Sequence, residues 1–323
     1  MTLNKFFIKD SSDKNIHIYK WTCDVKDPIG VIQLSHGMAE HALRYAEFAN
    51  YLNDNGYIVY ANDHRGHGKT SPDELGYMGE GDAFHLMVNN LKDVTDLIKS
   101  ENPNLPIFLL GHSMGSFLSL RYAELFGNGL DGLILCGTNG NQPFIFSFGE
   151  KVAKYQMKKH GAKTAGTTMD KLSFGNFNNN FKPNRTNFDW LCSDEKEVDK
   201  YIEDPLCGTI HSNSYFYYLL KGLRTNQKKE NLDKIPKNLP ILLIAGQDDP
   251  VGLMGKGVTR LYNDLKTMNI KSVDMILYPG ARHEILNEAQ KHKVFNDCVS
   301  FFNKNNKNCS TEAIEKKETI FDI

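Results

Sequence analysis

The sequence of 323 residues has no apolar run of the roughly 20 residues that a transmembrane helix requires. The amino-terminal stretch MTLNKFFIKDSSDKN also lacks the apolar core of a signal peptide. Neither sign of charge dominates, because 38 lysines and arginines are matched by 39 aspartates and glutamates. A nucleic-acid-binding surface needs clustered basic residues, so none is expected. These absences predict a cytoplasmic protein with no nucleic acid partner.

Paired cysteine motifs are missing as well. The six cysteines are scattered without any Cys-x-x-Cys spacing, at positions 23, 136, 192, 207, 298 and 309. In a reducing cytoplasm such cysteines are expected to stay free thiols rather than form disulfides. No cluster of histidine, cysteine and acidic residues has the spacing of a zinc site. The sequence therefore predicts neither a metal nor another cofactor.

Short apolar runs, rich in β-branched residues, alternate with helical patterns along most of the chain. The runs are NKFFI (4–8), IHIYKWTC (16–23), GVIQLSH (30–36), YIVYAND (57–63), IFLLG (107–111), GLILCG (132–137), ILLIAG (241–246) and VDMILYP (273–279). Their hydrophobicity is continuous rather than alternating, which is typical of strands buried on both faces of a parallel sheet. The alternation predicts an α/β fold with a mostly parallel eight-stranded sheet flanked by helices.

The alternation of strands and helices stops over residues 141–235 and resumes at Leu239. We therefore predict a discontinuous core, formed by residues 1–140 and 236–305, with a helical cap inserted over 141–235. Residues 306–323 are mostly polar and are expected to form a tail.

A serine between two glycines follows one of the apolar runs, in LLGHSMGS (109–116). A helical pattern comes directly after it, so Ser113 lies at a strand–turn–helix junction. Gly111 and Gly115 remove side chains that would collide with the neighbouring strand and helix. The turn brings the Ser113 hydroxyl to the carboxyl edge of the sheet and to a helix N-terminus. Ser113 is therefore predicted to be a nucleophile, the alternative being a serine that only caps a helix.

A serine hydroxyl needs a base in order to attack an ester at neutral pH. Among eleven histidines, His283 lies in YPGARHE (278–284), a loop that follows the last apolar run. The acid that orients this base is expected in AGQDDPV (245–251), because the order Ser, acid, His is that of an α/β-hydrolase. Asp249 is preferred because the proline after it restrains its backbone, and Asp248 remains the alternative.

The tetrahedral intermediate of ester cleavage needs two donors for its oxyanion. The first is the backbone N–H that follows the nucleophile, at Met114. The second is expected from LSHGMAEH (34–41), a loop after a central strand, where the His-Gly step turns the Met38 N–H into the site. His36 is expected to shape this loop through hydrogen bonds to the backbone rather than to act as a base.

DHRGHGKTS (63–71) contains two patterns that have other meanings elsewhere. GKT resembles the end of a P-loop, but Asp63 stands where a P-loop needs its first glycine, so nucleotide binding is not expected. His64 and His67 have no acidic or thiol partner at metal-binding spacing. The stretch is predicted to be a loop held by hydrogen bonds of Asp63 and Arg65.

Together these motifs resemble the monoacylglycerol lipase and lysophospholipase-like branch of the α/β-hydrolase superfamily. The stretches that carry the resemblance are HGMAEHALRY (36–45), ANDHRGHGKTS (61–71), GHSMGS (111–116), AGQDDPVG (245–252) and YPGARHEILNE (278–288). Residues 177–208 resemble the cap of bacterial lysophospholipase-like members. The resemblance implies Ser113 as nucleophile, Asp249 as acid and His283 as base, with oxyanion donors at Met38 and Met114.

The resemblance also implies a function, the hydrolysis of a lipid ester such as a monoacylglycerol or a lysophospholipid through an acyl-enzyme. Ala39 departs from the glycine that animal monoacylglycerol lipases carry there. A short-chain carboxylesterase, a serine peptidase and a non-catalytic binding protein are the alternatives. The apolar stretches FIF (144–146) and SYFYYLL (214–220) of the cap either shelter an acyl chain or pack the cap onto the core. No transmembrane segment is expected, and the cap is a candidate for transient contact with a membrane surface.

Overall fold

The computed structural model of the protein describes residues 2–23 and 27–309. The strands within these residues are β1 (Thr2–Lys9), β2 (Asn15–Thr22), β3 (Gly30–Ser35), β4 (Tyr57–Asn62), β5 (Ile107–His112), β6 (Gly132–Cys136), β7 (Ile241–Gly246) and β8 (Val273–Tyr278). They form one sheet in the order β1-β2-β4-β3-β5-β6-β7-β8. The strands from β3 to β8 run parallel, and β2 is antiparallel to both of its neighbours. The predicted α/β fold with a mostly parallel eight-stranded sheet is confirmed.

Helices pack on both faces of this sheet. The α-helices of the described residues are α1 (Ala46–Asp54), α2 (Ala83–Glu101), α3 (Met114–Phe126), α4 (Pro143–His160), α5 (Thr167–Phe174), α6 (Glu195–Glu203), α7 (Asn213–Asn226), α8 (Lys229–Leu232), α9 (Lys256–Thr267) and α10 (Lys291–Lys304). Val31 and Ile32 are neighbours on β3, yet Val31 packs in the cluster of α2, α3 and α9 while Ile32 packs in that of α1 and α10. Burial on both faces explains why the strand runs are apolar throughout.

The long connection between β6 and β7 holds α4 to α8. Within it α4 packs along α7, and α7 in turn packs on α2 and α3. None of the helices in the described ranges combines the length and the apolar character that crossing a membrane requires. Of the expected carboxyl-terminal tail, Asn306 is buried and its amide donates to the Ile29 carbonyl at 3.0 Å. Residues 310–323 lie outside the described residues.

Candidate active site

Ser113 occupies a sharp turn between β5 and α3. Its backbone has φ 53° and ψ −119°, a conformation that residues other than glycine seldom adopt. The turn is held by the Ser113 N–H, which donates to the Cys136 carbonyl at 2.9 Å. A Cβ atom at Gly111 or Gly115 would overlap neighbouring backbone atoms, so both glycines are required by close approach. The serine–glycine motif thus builds the strained strand–turn–helix junction that was predicted for it.

Gly115→Ala is expected to lower the free energy of unfolding by about 3 kcal/mol or more. The reason is that a Cβ there would overlap the carbonyl oxygen of Ser35, the last residue of β3. Gly129→Ala is the matched control, because a Cβ at that position meets only the flexible end of the Lys99 side chain. Urea denaturation followed by circular dichroism measures both. Equal stability of the two variants would contradict the close packing at Gly115.

The structure brings His283 and Asp249 together. His283 Nδ1 lies 3.0 Å from Asp249 Oδ2, and the Asp249 carboxylate is fully buried. Its other oxygen accepts a hydrogen bond from the Val251 N–H at 2.8 Å. Asp248, the alternative acid, is exposed and has no hydrogen bond to the histidine. With Nδ1 engaged, Nε2 is the ring nitrogen of His283 that is left for chemistry.

Ser113 and His283 line the same cavity, whose volume is about 1070 Å³. The Ser113 hydroxyl makes no hydrogen bond with any residue that the structure describes, so it is not yet joined to the base. In unliganded sites the bond between nucleophile and base is often loose and tightens when substrate binds. The His283 ring is close to two other rings, with centroids 4.8 Å from His112 and 5.3 Å from Trp190. Trp190, from the inserted segment, was not identified from the sequence.

Met38 and Met114 also line the cavity. Met114 is the first residue of α3, where a backbone N–H has no partner inside the helix. Within residues 2–23 and 27–309, neither the Met38 nor the Met114 N–H donates a hydrogen bond to another residue. The loop that carries Met38 is held by Glu40, which accepts from the Gly37 N–H at 2.6 Å. Two unengaged N–H donors therefore lie beside Ser113.

His112, directly before Ser113, is placed to carry a positive charge. Its Nδ1 lies 3.2 Å from Glu40 Oε1 and its Nε2 lies 3.3 Å from the His283 carbonyl oxygen, so both nitrogens face acceptors. Burial alone would lower the pKa of His112, but the hydrogen bond and the charge of Glu40 raise it above its ordinary value. Burial alone would raise the pKa of Glu40, but His112 and Arg44 hold it well below its usual range.

Arg44 joins two buried carboxylates behind the site. It donates to Glu40 Oε2 at 2.8 Å and to the two oxygens of Glu284 at 2.7 Å each. Because Glu284 follows the predicted base and Glu40 holds the Met38 loop, this network ties both parts of the site together. Sequence reasoning missed it, although each glutamate stands inside a motif that was singled out. No local pattern pairs Arg44 with a glutamate 240 positions away.

Arg44→Met is expected to lower the free energy of unfolding by about 3–5 kcal/mol near pH 8, because it leaves the buried Glu284 without its ion-pair partner and leaves Glu40 with His112 alone. In the wild type the pKa values of Glu40 and Glu284 are held below their ordinary values against the effect of burial. Their pairing therefore stabilises the fold above the unfolded carboxyl pKa, and this contribution is lost as the pH falls. The deficit of the variant should shrink toward pH 5, where the buried carboxylates that lack Arg44 take up protons.

Denaturant unfolding of both proteins across this pH range measures the deficit. Arg185→Met is the control, since Arg185 is exposed and its pairing with Asp199 at 2.6 Å is a surface ion pair that contributes little to stability. An Arg44→Met deficit that is the same at every pH would contradict the assignment of charged carboxylates.

The other residues singled out from the sequence have structural roles. Asp63 accepts hydrogen bonds from two backbone N–H groups, and Arg65 is paired with Asp10. His36 Nδ1 lies 2.7 Å from the carbonyl oxygen of the next residue, and its Nε2 accepts from the His64 N–H at 2.9 Å. The predictions that these residues hold the two loops in shape are confirmed.

Among the described residues, one group brings metal-binding atoms within 4.8 Å of one another, formed by His41, Asp204 and Cys207. His41 Nε2 is already engaged with Asp204 Oδ2 at 2.8 Å. Burial raises the pKa of the Cys207 thiol well above its ordinary value, which disfavours the thiolate that binds metals. The His41–Asp204 pair is better explained as a link between the Met38 loop and the inserted segment.

The two apolar stretches of the predicted cap line the cavity and also pack against the core that contains the sheet. The residues that line the cavity are Ile145, Phe146, Phe216, Leu219 and Leu220. Phe146, Phe216 and Leu219 belong to the buried cluster as well. The same side chains are thus placed both to shelter an acyl chain and to pack the cap onto the core.

Known proteins resemble this chain in sequence and in fold. Residues 26–290 match the model of the family described as serine aminopeptidase, S33. The chain is 26% identical to a monoacylglycerol lipase of Mycolicibacterium smegmatis over 87% of its own length and 90% of that protein. It is 27% identical to human monoglyceride lipase over 81% of its own length and 77% of that protein. A thermostable carboxyl esterase from Bacillus coagulans, solved in complex with glycerol, superposes with a TM-score of 0.88 at 31% identity, covering 94% of this chain and 99% of that one.

The match to the family model covers most of the chain, and the Bacillus coagulans esterase shares its fold. The predicted resemblance to monoacylglycerol lipases is therefore confirmed, and the chain belongs to the serine aminopeptidase S33 family of α/β-hydrolases.

Proposed function

We propose that the protein is a serine hydrolase that cleaves carboxylic esters of lipids, monoacylglycerols or lysophospholipids, through Ser113, His283 and Asp249. The observation that carries the proposal is the buried Asp249–His283 hydrogen bond of 3.0 Å beside the cavity that Ser113 lines. Monoacylglycerol lipases and a carboxyl esterase among the similar proteins support the same activity.

The first half of the reaction forms an acyl-enzyme. Ser113 Oγ attacks the ester carbonyl while His283 Nε2 takes the hydroxyl proton. Asp249 keeps the imidazole in the Nδ1–H tautomer and stabilises the imidazolium. The oxyanion accepts hydrogen bonds from the Met38 and Met114 N–H groups, each worth about 3 kcal/mol of the barrier.

The first half ends when the tetrahedral intermediate collapses and the ester C–O bond breaks, while the His283 imidazolium gives its proton to the leaving alcohol. The second half begins when a water molecule enters in the alcohol's place. The imidazole removes a proton from this water, which attacks the acyl carbonyl; the bond from the carbonyl to Ser113 Oγ then breaks, the imidazolium returns the proton to Ser113, and the acid is released. These steps use the chain's side chains, its backbone N–H groups and water, and they call for no cofactor.

The inserted segment acts as the cap, residues 141–235, over a core formed by 1–140 and 236–305. This division is supported by the lining of the cavity, to which α4, α5 and α7 contribute apolar side chains. A cavity of about 1070 Å³ is large enough for a medium or long acyl chain. This volume supports a lipid ester rather than a short-chain ester as the substrate.

A substrate panel tests the proposed activity. Monoacylglycerols, lysophospholipids, short-chain esters and an aminoacyl anilide are compared at fixed concentration. We expect a long-chain ester to give the highest kcat/KM and the anilide to be inert. Preference for short-chain esters would assign a general carboxylesterase, and cleavage of the anilide alone would assign the peptidase activity that the family description names.

The cap also carries an exposed apolar face at the start of α4, which we assign to transient contact with a membrane surface. Phe144 is 88% exposed, and Ile145 and Phe148 are exposed beside it. Lys151 and Lys154, further along the helix, are exposed as well. Apolar side chains next to basic ones are typical of helices that bind at a lipid interface.

Replacing Phe144 and Phe148 together with serine is expected to weaken binding to anionic phospholipid vesicles about tenfold or more, because two aromatic side chains lose their burial in lipid. Vesicle co-sedimentation measures this binding. Phe7→Ser is the control, since Phe7 is 55% exposed but lies on β1, away from the cap. Unchanged binding of the double variant would contradict the assignment.

A further inference from the structure

One carboxylate in the cavity has no partner. Asp170, on α5, lines the cavity and is partly buried. Its side chain forms no hydrogen bond or ion pair with any residue in the described part of the chain. Burial raises the pKa of Asp170, and no interaction offsets this effect. The proposed mechanism does not use this group, so its position calls for another role.

Three aromatic rings form a cluster in the wall of the same cavity. Phe174, Phe177 and Trp190 all line the cavity. The Phe174 and Trp190 rings are nearly parallel, with centroids 6.0 Å apart, and the Phe177 ring stands edge-on to Trp190 at 5.0 Å. Phe174 is four residues after Asp170 on α5, so the two side chains leave the same face of the helix. The carboxylate and the aromatic cluster are therefore neighbours.

We propose that Asp170 and this aromatic cluster bind the ammonium group of a substrate, so that the enzyme prefers choline-bearing lysophospholipids to uncharged monoacylglycerols. A quaternary ammonium is attracted to the faces of aromatic rings and to a nearby negative charge, and it needs no hydrogen-bond acceptor. A primary ammonium has three N–H donors to satisfy, for which one carboxylate is a poor match. The chemistry of the wall thus favours a trimethylammonium group.

A positively charged side chain in the same part of the cavity wall also fits a choline-bearing head group. Lys171 also lines the cavity, is exposed, and has no ion-pair partner among the residues described. A phosphocholine head carries a phosphate beside its ammonium, so each of its charges meets a charge of opposite sign. An uncharged glycerol head would leave both Asp170 and Lys171 without a counter-charge.

The subsite is linked to the proposed catalytic residues through Trp190. The Trp190 ring lies 5.3 Å from the His283 ring and 6.0 Å from the Phe174 ring, measured between centroids. Asp170 lies one helical turn beyond Phe174, so the carboxylate is several side-chain contacts away from the base. A head group extended by a glycerophosphate spans such a gap better than choline esterified directly. This inference rests on the proposed ester hydrolase function.

The test uses two lysophospholipids of identical shape. Hexanoyl-glycerophosphocholine carries a trimethylammonium group, and its 3,3-dimethylbutyl analogue carries a tert-butyl group in the same place. Their short acyl chains keep both in monomeric solution. We expect the wild type to cleave the choline compound with a kcat/KM about ten times higher, and Asp170→Asn to reduce this ratio to about one. Asp73→Asn removes an exposed carboxylate outside the cavity and should keep the tenfold ratio.

Several results would overturn the proposal. These are a wild-type ratio near one, an unchanged ratio in Asp170→Asn, or a higher kcat/KM for monohexanoylglycerol than for the choline compound. Faster cleavage of leucine p-nitroanilide than of either ester would assign Asp170 to a peptide amino terminus instead. The ratio is informative because a merely structural role of Asp170 would change both rates together.

A binding measurement separates failure of the subsite from failure of the proposed activity. Hexyltrimethylammonium is titrated into the protein while tryptophan fluorescence is recorded. A change of this signal on titration reports Trp190, because the other tryptophan, Trp21, is buried in the core and does not line the cavity. Binding that is lost in Asp170→Asn, in a protein that cleaves no ester, would retain the subsite and reject the hydrolase. Ester cleavage without Asp170-dependent binding would reject the subsite and retain the hydrolase.

Discussion

Ser113→Ala is expected to lower kcat for a p-nitrophenyl acyl ester by roughly 10⁴- to 10⁶-fold. Without the hydroxyl no acyl-enzyme forms, and only the oxyanion donors and substrate binding remain to assist direct attack by water. Hydrolysis is followed at 400 nm or nearby, with a correction for spontaneous cleavage. The Ser113 side chain makes no capping hydrogen bond to α3, so the turn at position 113 should be kept in the variant.

The variant must remain folded for this loss to be informative. The Ser113 hydroxyl forms no hydrogen bond with the described residues, so its removal should change the free energy of unfolding by less than about 1 kcal/mol. Ser116→Ala is the matched control in the next turn of the chain, where the hydroxyl only donates to the Ser113 carbonyl at 2.6 Å. Retention of more than a tenth of the wild-type rate in Ser113→Ala would contradict its role as nucleophile.

Asp249→Asn is expected to lower kcat by about 10³- to 10⁴-fold. An asparagine amide can present its N–H₂ group to Nδ1, which favours the ring tautomer whose Nε2 is already protonated. His283 then cannot accept the proton of Ser113. The buried position of Asp249 leaves no room for water to replace the carboxylate.

Asp248→Asn provides the comparison, because the same chemical change is made one residue away. Asp248 is exposed and does not contact His283, so kcat should stay within about threefold of the wild type. Steady-state kinetics of the two variants with one ester settle the assignment. A larger loss in Asp248→Asn than in Asp249→Asn would move the role of the acid to Asp248.

Features that depend on local sequence could be predicted. The turn at Ser113 follows from its two glycines and from the strand and helix patterns on either side. The eight strands follow from short apolar runs, since burial on both faces of a parallel sheet leaves little room for polar residues. His283 follows from its place after the last strand, because loops at the carboxyl ends of parallel strands meet at one edge.

The choice between Asp248 and Asp249 shows where sequence reasoning reaches its limit. The two residues are adjacent and chemically identical, and they lie in the turn after β7, where consecutive side chains point in different directions. The proline after Asp249 favours that residue without deciding between the two. Only the packing of the loop after β7 against the loop that carries His283 shows which carboxylate is buried and which is exposed.

Contacts between distant segments could not be predicted at all. Arg44 and Glu284 come from opposite ends of the chain and carry no mark of their pairing. Trp190 and Asp170 lie in the inserted segment, where the helices do not follow the regular alternation of the core. Amphipathic helices of this kind can pack in several orientations, so which side chains reach the cavity depends on tertiary packing.

The account rests on Ser113 being activated by His283, and covalent labelling tests this most directly. The intact protein is treated with a fluorophosphonate probe, and the labelled peptide is identified by mass spectrometry. We predict one adduct per chain, on Ser113, with labelling slowed at least a hundredfold by His283→Ala. Absence of the adduct in folded protein, attachment to a different residue, or labelling that is as fast without the imidazole would contradict the account.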